Sequence, residues 1–100
     1  MYLYKFLLGL LLTCITVTVS ANSVRNVELL ASSCAACHGT NGHSIGGTPV
    51  LAGLDKLHFI EQMRQFTENE RPSTVMYHHA NGYTVEEIKL MAEFFSKQER

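Results

Sequence analysis

The chain has 100 residues, a length that suits one small domain. It contains eight Lys and Arg against nine Asp and Glu, which gives a formal net charge of −1 at pH 7 with His neutral. This near-neutrality argues against nucleic acid and anionic membrane as partners, because both bind strongly basic surfaces. Bulk charge alone therefore does not name a partner.

The N-terminus has the pattern of a secretory signal peptide. Lys5 precedes an almost unbroken apolar run over residues 6–19, and small side chains follow at positions 20–21. The run is shorter than the roughly 20 residues that a membrane-spanning helix needs, so a retained membrane anchor is the weaker alternative. We predict a signal peptide over residues 1–21 and an exported, periplasmic domain over residues 22–100, without stable membrane insertion.

The cysteine positions point to a cofactor. Cys14 lies inside the apolar run, and Thr13 precedes it where a lipid-modified cysteine prefers a smaller residue, so lipidation is disfavoured. Removal of the signal peptide leaves Cys34 and Cys37, whose disulfide would close a loop too short to stabilise the fold much. A domain this small buries little apolar surface and needs such support. A large cofactor held at the two sulfurs would supply it.

The predicted mature region shows helical periodicity and no alternating strand pattern of useful length, so the predicted fold class is all-α. Apolar spacing and cap signals predict helical stretches that end near residue 38, run from about 55 to 67, form one short turn within 74–80, and run from 84 to about 97. Five glycines and one proline mark residues 39–53 as a loop.

Two helix starts and two buried faces are predicted. Asp55 is placed to cap the second helix, and Thr84 with Glu87 has the form of a capping box for the last helix. The second helix is expected to bury one side made of Leu57, Phe59, Ile60, Met63 and Phe66. The last helix is expected to bury Ile88, Met91, Ala92 and Phe95.

The residues CAACH at positions 34–38 are the strongest signal in the chain. A CxxCH sequence has the form of covalent heme attachment. Residues three apart on a helical turn lie on one face, so the thiols of Cys34 and Cys37 can reach the two vinyl groups of one porphyrin edge. His38 follows directly and can turn its imidazole under the iron. We predict one covalently bound heme c, with Cys34 and Cys37 as attachment sites and His38 as an iron ligand.

Three other interpretations of this motif are weaker. A thioredoxin-like dithiol is typical of a βαβ setting, which the sequence does not predict. A zinc site takes four Cys or His ligands, and the chain has no second paired-ligand motif. A chance CxxCH in an ordinary fold agrees poorly with the export signal.

Three methionines are candidates for the second axial ligand, which an electron carrier needs for a saturated iron. Met63 and Met91 occur at apolar helix positions, so both are predicted to lie in the core. Met76 instead lies between Pro72 and Gly82, in a loop from which its side chain can approach a ring from the far side. The pattern favours Met76 as the ligand.

Histidines supply the competing ligands. His78 and His79 closely follow Met76, so bis-His ligation stays open, as does a polar contact near the heme edge or a partner surface. His58 is expected to be exposed or hydrogen-bonded on the second helix. His43 is expected to be exposed in the glycine-rich loop.

Longer stretches resemble a known family. CAACHGTNG at 34–42 and TPVLAG at 48–53 resemble the class I cytochromes c, within the subgroup that contains cytochromes c553 and c4. STVM at 73–76 and ANGYTVEEI at 80–88 are most similar to the cytochrome subunit of flavocytochrome c sulfide dehydrogenase. The resemblance covers nearly all of the predicted mature region.

The resemblance implies the class I cytochrome c fold, a small helical domain wrapped around one heme. Cys34 and Cys37 would form the thioethers, and His38 and Met76 would be the axial metal ligands. The Pro49 carbonyl would accept a hydrogen bond from the His38 imidazole, which fixes the ring and tunes the iron.

The same resemblance implies that the first and last helices cross. That crossing would bring Leu30 and Ala31 near Phe94 and Phe95.

For function, the resemblance implies a periplasmic electron-transfer protein whose iron cycles between Fe(II) and Fe(III). It would be the electron-accepting cytochrome subunit of a flavin-dependent sulfide dehydrogenase, not catalytic alone, with a flavoprotein as partner. Two alternatives stay open. One is a freestanding carrier that shuttles electrons between respiratory complexes, and the other is a heme-based sensor in which a ligand displaces Met76.

Overall fold

The structure, a computed structural model, describes Tyr2 and residues 25–100. The predicted signal peptide, apart from Tyr2, lies outside the described residues, so its cleavage and the domain boundary stay predictions. Residues 25–100 form four α-helices and no strand, which confirms the all-α prediction. The helices are α1 (Val27–His38), α2 (Lys56–Thr67), α3 (Met76–Ala80) and α4 (Val85–Ser96), and a short 3-10 helix spans Thr40–Gly42. No helix in this part of the chain is long and apolar enough to cross a bilayer.

The helix starts follow from side chains that satisfy free backbone N–H groups. The Asp55 carboxylate accepts a hydrogen bond from His58 N at 3.1 Å, which confirms the predicted cap of α2. Thr84 and Glu87 form the predicted capping box at α4. The cap of α1 was not predicted from the sequence: Asn26 Oδ1 accepts hydrogen bonds from two backbone N–H groups. Each cap stabilises its helix by about 1 kcal/mol.

The core is centred where α4 packs against two other helices. Helix α4 packs against α1 and α2, and α2 packs against α3. The rings of Phe59 on α2 and Phe95 on α4 stack with centroids 5.8 Å apart. Met63 and Met91 are buried in this core, as predicted. The implied crossing of the first and last helices is confirmed, because Leu30, Ala31 and Phe95 share one cluster against which Phe94 packs.

The predicted buried face of α2 is partly wrong. Leu57 is 76% exposed, whereas Phe59 and Met63 are buried and Ile60 and Phe66 are half-buried against the core. Because successive helical residues are about 100° apart, Leu57 lies about 200° around the helix from Phe59. The buried stripe is therefore centred on Phe59 and Met63, and Leu57 falls outside it.

The glycine-rich loop is closed by its own backbone. The Gly42 carbonyl accepts hydrogen bonds from Leu51 N at 2.9 Å and Ala52 N at 3.2 Å. Gly42 has φ +81°, and a Cβ there would lie 2.7 Å from Ala52 N, so only glycine fits this approach. Farther along, Gly53 N donates to Phe95 O at 2.8 Å, which ties the end of the loop to α4. The loop between these bonds is thereby folded back toward the end of α1.

Candidate heme site

The last turn of α1 carries the CxxCH residues. Cys34 and Cys37 are free thiols on this turn; Cys34 is half-buried against the hydrophobic core and Cys37 is exposed. Burial raises the pKa of the Cys34 thiol, and a contact with the Ser33 hydroxyl partly opposes that shift. Both cysteines therefore lie on the same helical turn, and Cys34 contacts the core.

His38 is buried and oriented by a single hydrogen bond. Its Nδ1 lies 2.8 Å from the Pro49 carbonyl oxygen, and only 9% of the residue is exposed. A carbonyl can only accept, so Nδ1 carries the proton and the neutral ring keeps its lone pair on Nε2. An imidazole held in this tautomer is prepared to bind a metal through Nε2.

The backbone of the loop explains why Pro49 reaches His38. The bonds that Leu51 and Ala52 donate to the Gly42 carbonyl join the two ends of the intervening loop. Pro49 is just before this closure, and so its carbonyl comes back to the C-terminal end of α1. The His38 contact is thus a product of loop closure, not of a helical neighbour.

Met76 opens the one-turn helix α3. The short helical turn predicted within residues 74–80 is confirmed, and Met76, which was assigned to the loop between Pro72 and Gly82, is its first residue. Its side chain is half-buried and packs against the same core cluster as Cys34. Ala80, 1% exposed, anchors the other end of α3 in the core. Ser73 Oγ accepts from Tyr77 N at 3.1 Å and steadies the first turn.

The four other histidines of residues 25–100 lie at the surface: His43, His58, His78 and His79. The exposure expected for His43 and His58 is confirmed. His43 also has partners, since its ring nitrogens face the carbonyl oxygens of Thr40 and Glu99. His78 and His79 follow Met76 on α3, so they stay candidate ligands beside it.

The weaker interpretations of the motif find no support in the described residues. Within them, no three His, Cys, Asp or Glu side chains gather as a metal-binding group. Residues 25–100 also lack the strands of a βαβ dithiol fold. The Cys34–His38 turn is thus presented without a zinc-type ligand cluster around it.

Several side chains near these residues suit a large apolar ring with polar edges. Val50, next to Pro49, is 46% exposed and Val75, next to Met76, is 50% exposed. These two apolar side chains are next in sequence to Pro49 and Met76 and are available to contact a porphyrin ring held there. Ser44 Oγ, on the loop that carries Pro49, is buried and has no hydrogen-bond partner within residues 25–100. A hydroxyl of this kind is suited to a carboxylate substituent of a heme, so the residues present fit that group.

A polar network beside α1 was not predicted from the sequence. Arg25 pairs with the buried carboxylate of Glu87 through two hydrogen bonds of 2.6 and 3.0 Å. Hydrogen bonds from Arg25, and next from the Thr84 backbone, lower the pKa of Glu87 to about 2. The Tyr83 hydroxyl bonds Ser33 Oγ on α1. The capping-box pattern identified Glu87, but nothing local in the sequence pairs it with Arg25.

Residues 24–100 match the family model for cytochrome c, and the chain therefore belongs to the cytochrome c family. It is a class I c-type cytochrome, a heme protein of electron transport.

Among curated proteins, the chain is 46% identical over 68 residues to the cytochrome subunit of sulfide dehydrogenase of Chlorobaculum tepidum. It is also 35% identical over 69 residues to a thiosulfate dehydrogenase electron acceptor of Thiomonas intermedia, and 34% identical over 64 residues to cytochrome c-552 of Acidithiobacillus ferridurans. These matches cover 68%, 67% and 64% of this chain. They cover 62%, 32% and 28% of the respective relatives, so each relative extends beyond the matched part.

Proposed function

We propose that this cytochrome c carries a single heme c, attached at Cys34 and Cys37, with His38 and Met76 as axial ligands, and transfers electrons in the periplasm. The observation that carries the proposal is the 2.8 Å contact between His38 Nδ1 and the Pro49 carbonyl. It leaves Nε2 as the only ring nitrogen able to bind iron, on a residue that directly follows Cys37 and comes four residues after Cys34, the two free thiols. The heme count rests on one CxxCH motif, whose two thiols one heme consumes.

The roles of the chain's residues follow from their positions. Bound heme would supply an iron centre that gains and loses one electron. His38 would donate its Nε2 lone pair, while Pro49 keeps the ring from turning and holds the proton on Nδ1. The Met76 thioether would favour the reduced iron more than a second nitrogen ligand would, which raises the potential. With His38 and Met76 both holding the iron, the bound heme would exchange electrons without binding a substrate.

The partner we propose is a flavoprotein, with this chain as the electron-accepting cytochrome subunit of a flavin-dependent sulfide dehydrogenase. Support comes from the Chlorobaculum tepidum relative, which is named as the cytochrome subunit of a sulfide dehydrogenase. The signal-peptide pattern at residues 1–21 agrees with export and supports electron transfer outside the cytoplasm.

Co-purification tests this partner. The holoprotein would be isolated from its native source at low ionic strength and followed through gel filtration by heme absorbance and flavin fluorescence. We expect both signals in one peak, and we expect sulfide to reduce the heme in that peak. The same heme chain freed of the flavoprotein, at equal sulfide concentration, is the control and should be reduced much more slowly. Elution of the heme protein alone, without flavin, would contradict the subunit assignment.

A freestanding electron carrier is the second candidate. It is favoured by the relative from Acidithiobacillus ferridurans, which is named simply as a cytochrome c-552. In that case the heme protein would elute as a single chain, and sulfide would reduce it no faster with the flavin-containing fractions than without them. The co-purification experiment thus separates the two candidates.

A further inference from the structure

The two candidate axial ligands, His38 and Met76, lie on helices that are connected through a series of helix–helix contacts. Helix α1, with His38, packs on α4; α4 packs on α2; and α2 packs on α3, which begins with Met76. The position of α3 relative to α1 is therefore set through two intermediate helices. A more direct connection exists in the turn that follows α3.

Arg25 joins the segment before α1 to that turn. Its Nη2 donates to the Gly82 carbonyl at 2.9 Å, and its guanidinium lies over the Tyr83 ring, 5.5 Å from the centroid. Glu87 holds the guanidinium in this position through two further bonds. The Glu87 side chain is only 5% exposed, whereas that of Arg25 is 50% exposed. A carboxylate buried to this extent needs its cation, so the pair has a defined geometry.

Tyr83 joins the same turn to α1 itself. Its hydroxyl hydrogen-bonds the Ser33 hydroxyl, and its ring packs against the core cluster. Ser33 is the residue before Cys34, so the contact falls on the turn that would carry the heme. Ser33 also bonds the Leu30 carbonyl within α1, at 2.7 Å.

The turn at residues 81–84 is also hydrogen-bonded to α3. Gly82 N donates to the His79 carbonyl at 3.0 Å, and Asn81 Nδ2 donates to the Tyr77 carbonyl at 2.7 Å. If the turn moved away from α1, these bonds would therefore pull the C-terminal end of α3 with it. Because α3 has only five residues, its own hydrogen bonds offer little resistance to such a movement.

We propose that Arg25, Tyr83 and Ser33 are positioning residues that keep Met76 on the heme iron by fastening the turn at residues 81–84 to α1. They act through the turn and do not touch the iron. The inference rests on the proposed ligation by Met76. Loss of one fastening bond raises the population in which α3 has moved away and the sixth position is open to an external ligand.

Binding of imidazole to the oxidised holoprotein measures that open population. Ser33→Ala removes the bond to Tyr83, and Tyr83→Phe removes the same bond from the other side. We expect each variant to bind imidazole about fivefold more tightly than the parent, the factor that corresponds to the loss of one typical hydrogen bond from the closed state. Because Ser33 is exposed, Ser33→Ala should fold normally. It therefore tests the proposal even if Tyr83→Phe does not fold.

The chain offers a matched control for each change. Ser32 is the exposed neighbour of Ser33 on α1, and its hydroxyl bonds the Leu29 carbonyl at 2.7 Å but does not contact Tyr83. Tyr77 is 40% exposed, and its hydroxyl has no hydrogen-bond partner in the described part of the chain. Ser32→Ala and Tyr77→Phe should therefore bind imidazole like the parent. Denaturant midpoints of all four variants identify any general destabilisation. General destabilisation would lower the midpoint without tightening imidazole binding to the folded protein, whereas local opening of α3 would tighten that binding.

Two results would overturn the inference, and they are distinguishable. If the oxidised parent shows the far-red thioether-to-iron band while Ser33→Ala and Ser32→Ala bind imidazole equally, the fastening role is wrong and Met76 ligation stands. If the oxidised parent lacks that band, Met76 ligation itself is wrong and the fastening role falls with it.

Discussion

The two sides of the proposed heme site are built differently. On the side of His38, a twelve-residue helix ends in the CxxCH turn, and a neighbouring loop closes by its own backbone bonds to place Pro49. On the side of Met76, a five-residue helix is followed by a turn that hydrogen-bonds Arg25 and Ser33, both far away in sequence. The first side is thus determined locally, and the second by tertiary contacts. Changes on the His38 side should disrupt heme binding or folding, whereas changes on the Met76 side should first alter ligand exchange.

The largest effect is expected from the attachment turn. The double variant Cys34→Ser and Cys37→Ser lacks both thiols, so no thioether can form and no heme should remain with the denatured polypeptide. Mass spectrometry and heme staining of a denaturing gel would measure this. Each single variant retains one thiol and serves as the control, because one bond suffices to keep heme on the chain. Heme retained by the denatured double variant would contradict the attachment sites.

The closure of the Pro49 loop is expected to give the next largest effect. Gly42→Ala places a Cβ 2.7 Å from Ala52 N at φ +81°, so we expect a loss of about 2 kcal/mol or more in the free energy of unfolding. Gly47→Ala is the control, because nothing lies within 4 Å of a Cβ there, and its effect should stay within about 0.5 kcal/mol. Denaturant titration of both holoproteins gives the two values. Equal stability of the two variants would show that the loop is not closed as described.

Acid should weaken the Met76 side through Glu87. The pKa of its carboxyl is about 2 in the fold against an ordinary 4.5, chiefly because Arg25 donates hydrogen bonds to it. The stabilisation is therefore present above pH 4.5 and is lost as the pH falls toward 2. Glu87→Gln should lower stability near neutral pH and flatten its dependence on pH in that window, as followed by thermal unfolding.

Glu93→Gln supplies the comparison for this experiment. Glu93 lies on the same helix and pairs with Lys97, but both side chains are at least half exposed. Exposed pairs contribute little, so the acid dependence of this variant should match that of the parent. If Glu87→Gln kept the acid dependence of the parent, the Arg25–Glu87 pair would not be its cause.

The features that could be predicted from the sequence are those set by residues close together along the chain. The end of α1, the Asp55 cap and the Thr84–Glu87 capping box all depend on contacts within four residues, and the structure shows each of them. The Arg25–Glu87 pair spans 62 residues and the Ser33–Tyr83 bond spans 50. No local pattern specifies such pairs, because they form only once α4 has packed on α1.

The burial of α2 was predicted in part for a related reason. Apolar spacing alone fits two overlapping stripes on this helix, one that includes Leu57 and one that runs through Phe59 and Met63. The partner decides between them: Phe95 on α4 stacks on Phe59, and Leu57 is left exposed. For the candidate site, the motif and the resemblance named Cys34, His38 and the other candidate heme residues, while the contacts behind the proposed fastening of α3 could be recognised only from the packed chain.

The most direct measurement of the central claim is the weak far-red absorption band that a thioether sulfur gives with ferric heme iron. We expect the band in the oxidised parent, and we expect it to disappear in Met76→Leu, which removes the sulfur while nearly conserving volume. Met63→Leu and Met91→Leu make the same change in buried core positions and should keep the band. Absence of the band from the parent, or its survival in Met76→Leu, would contradict a site in which α1 and α3 hold the iron from opposite sides.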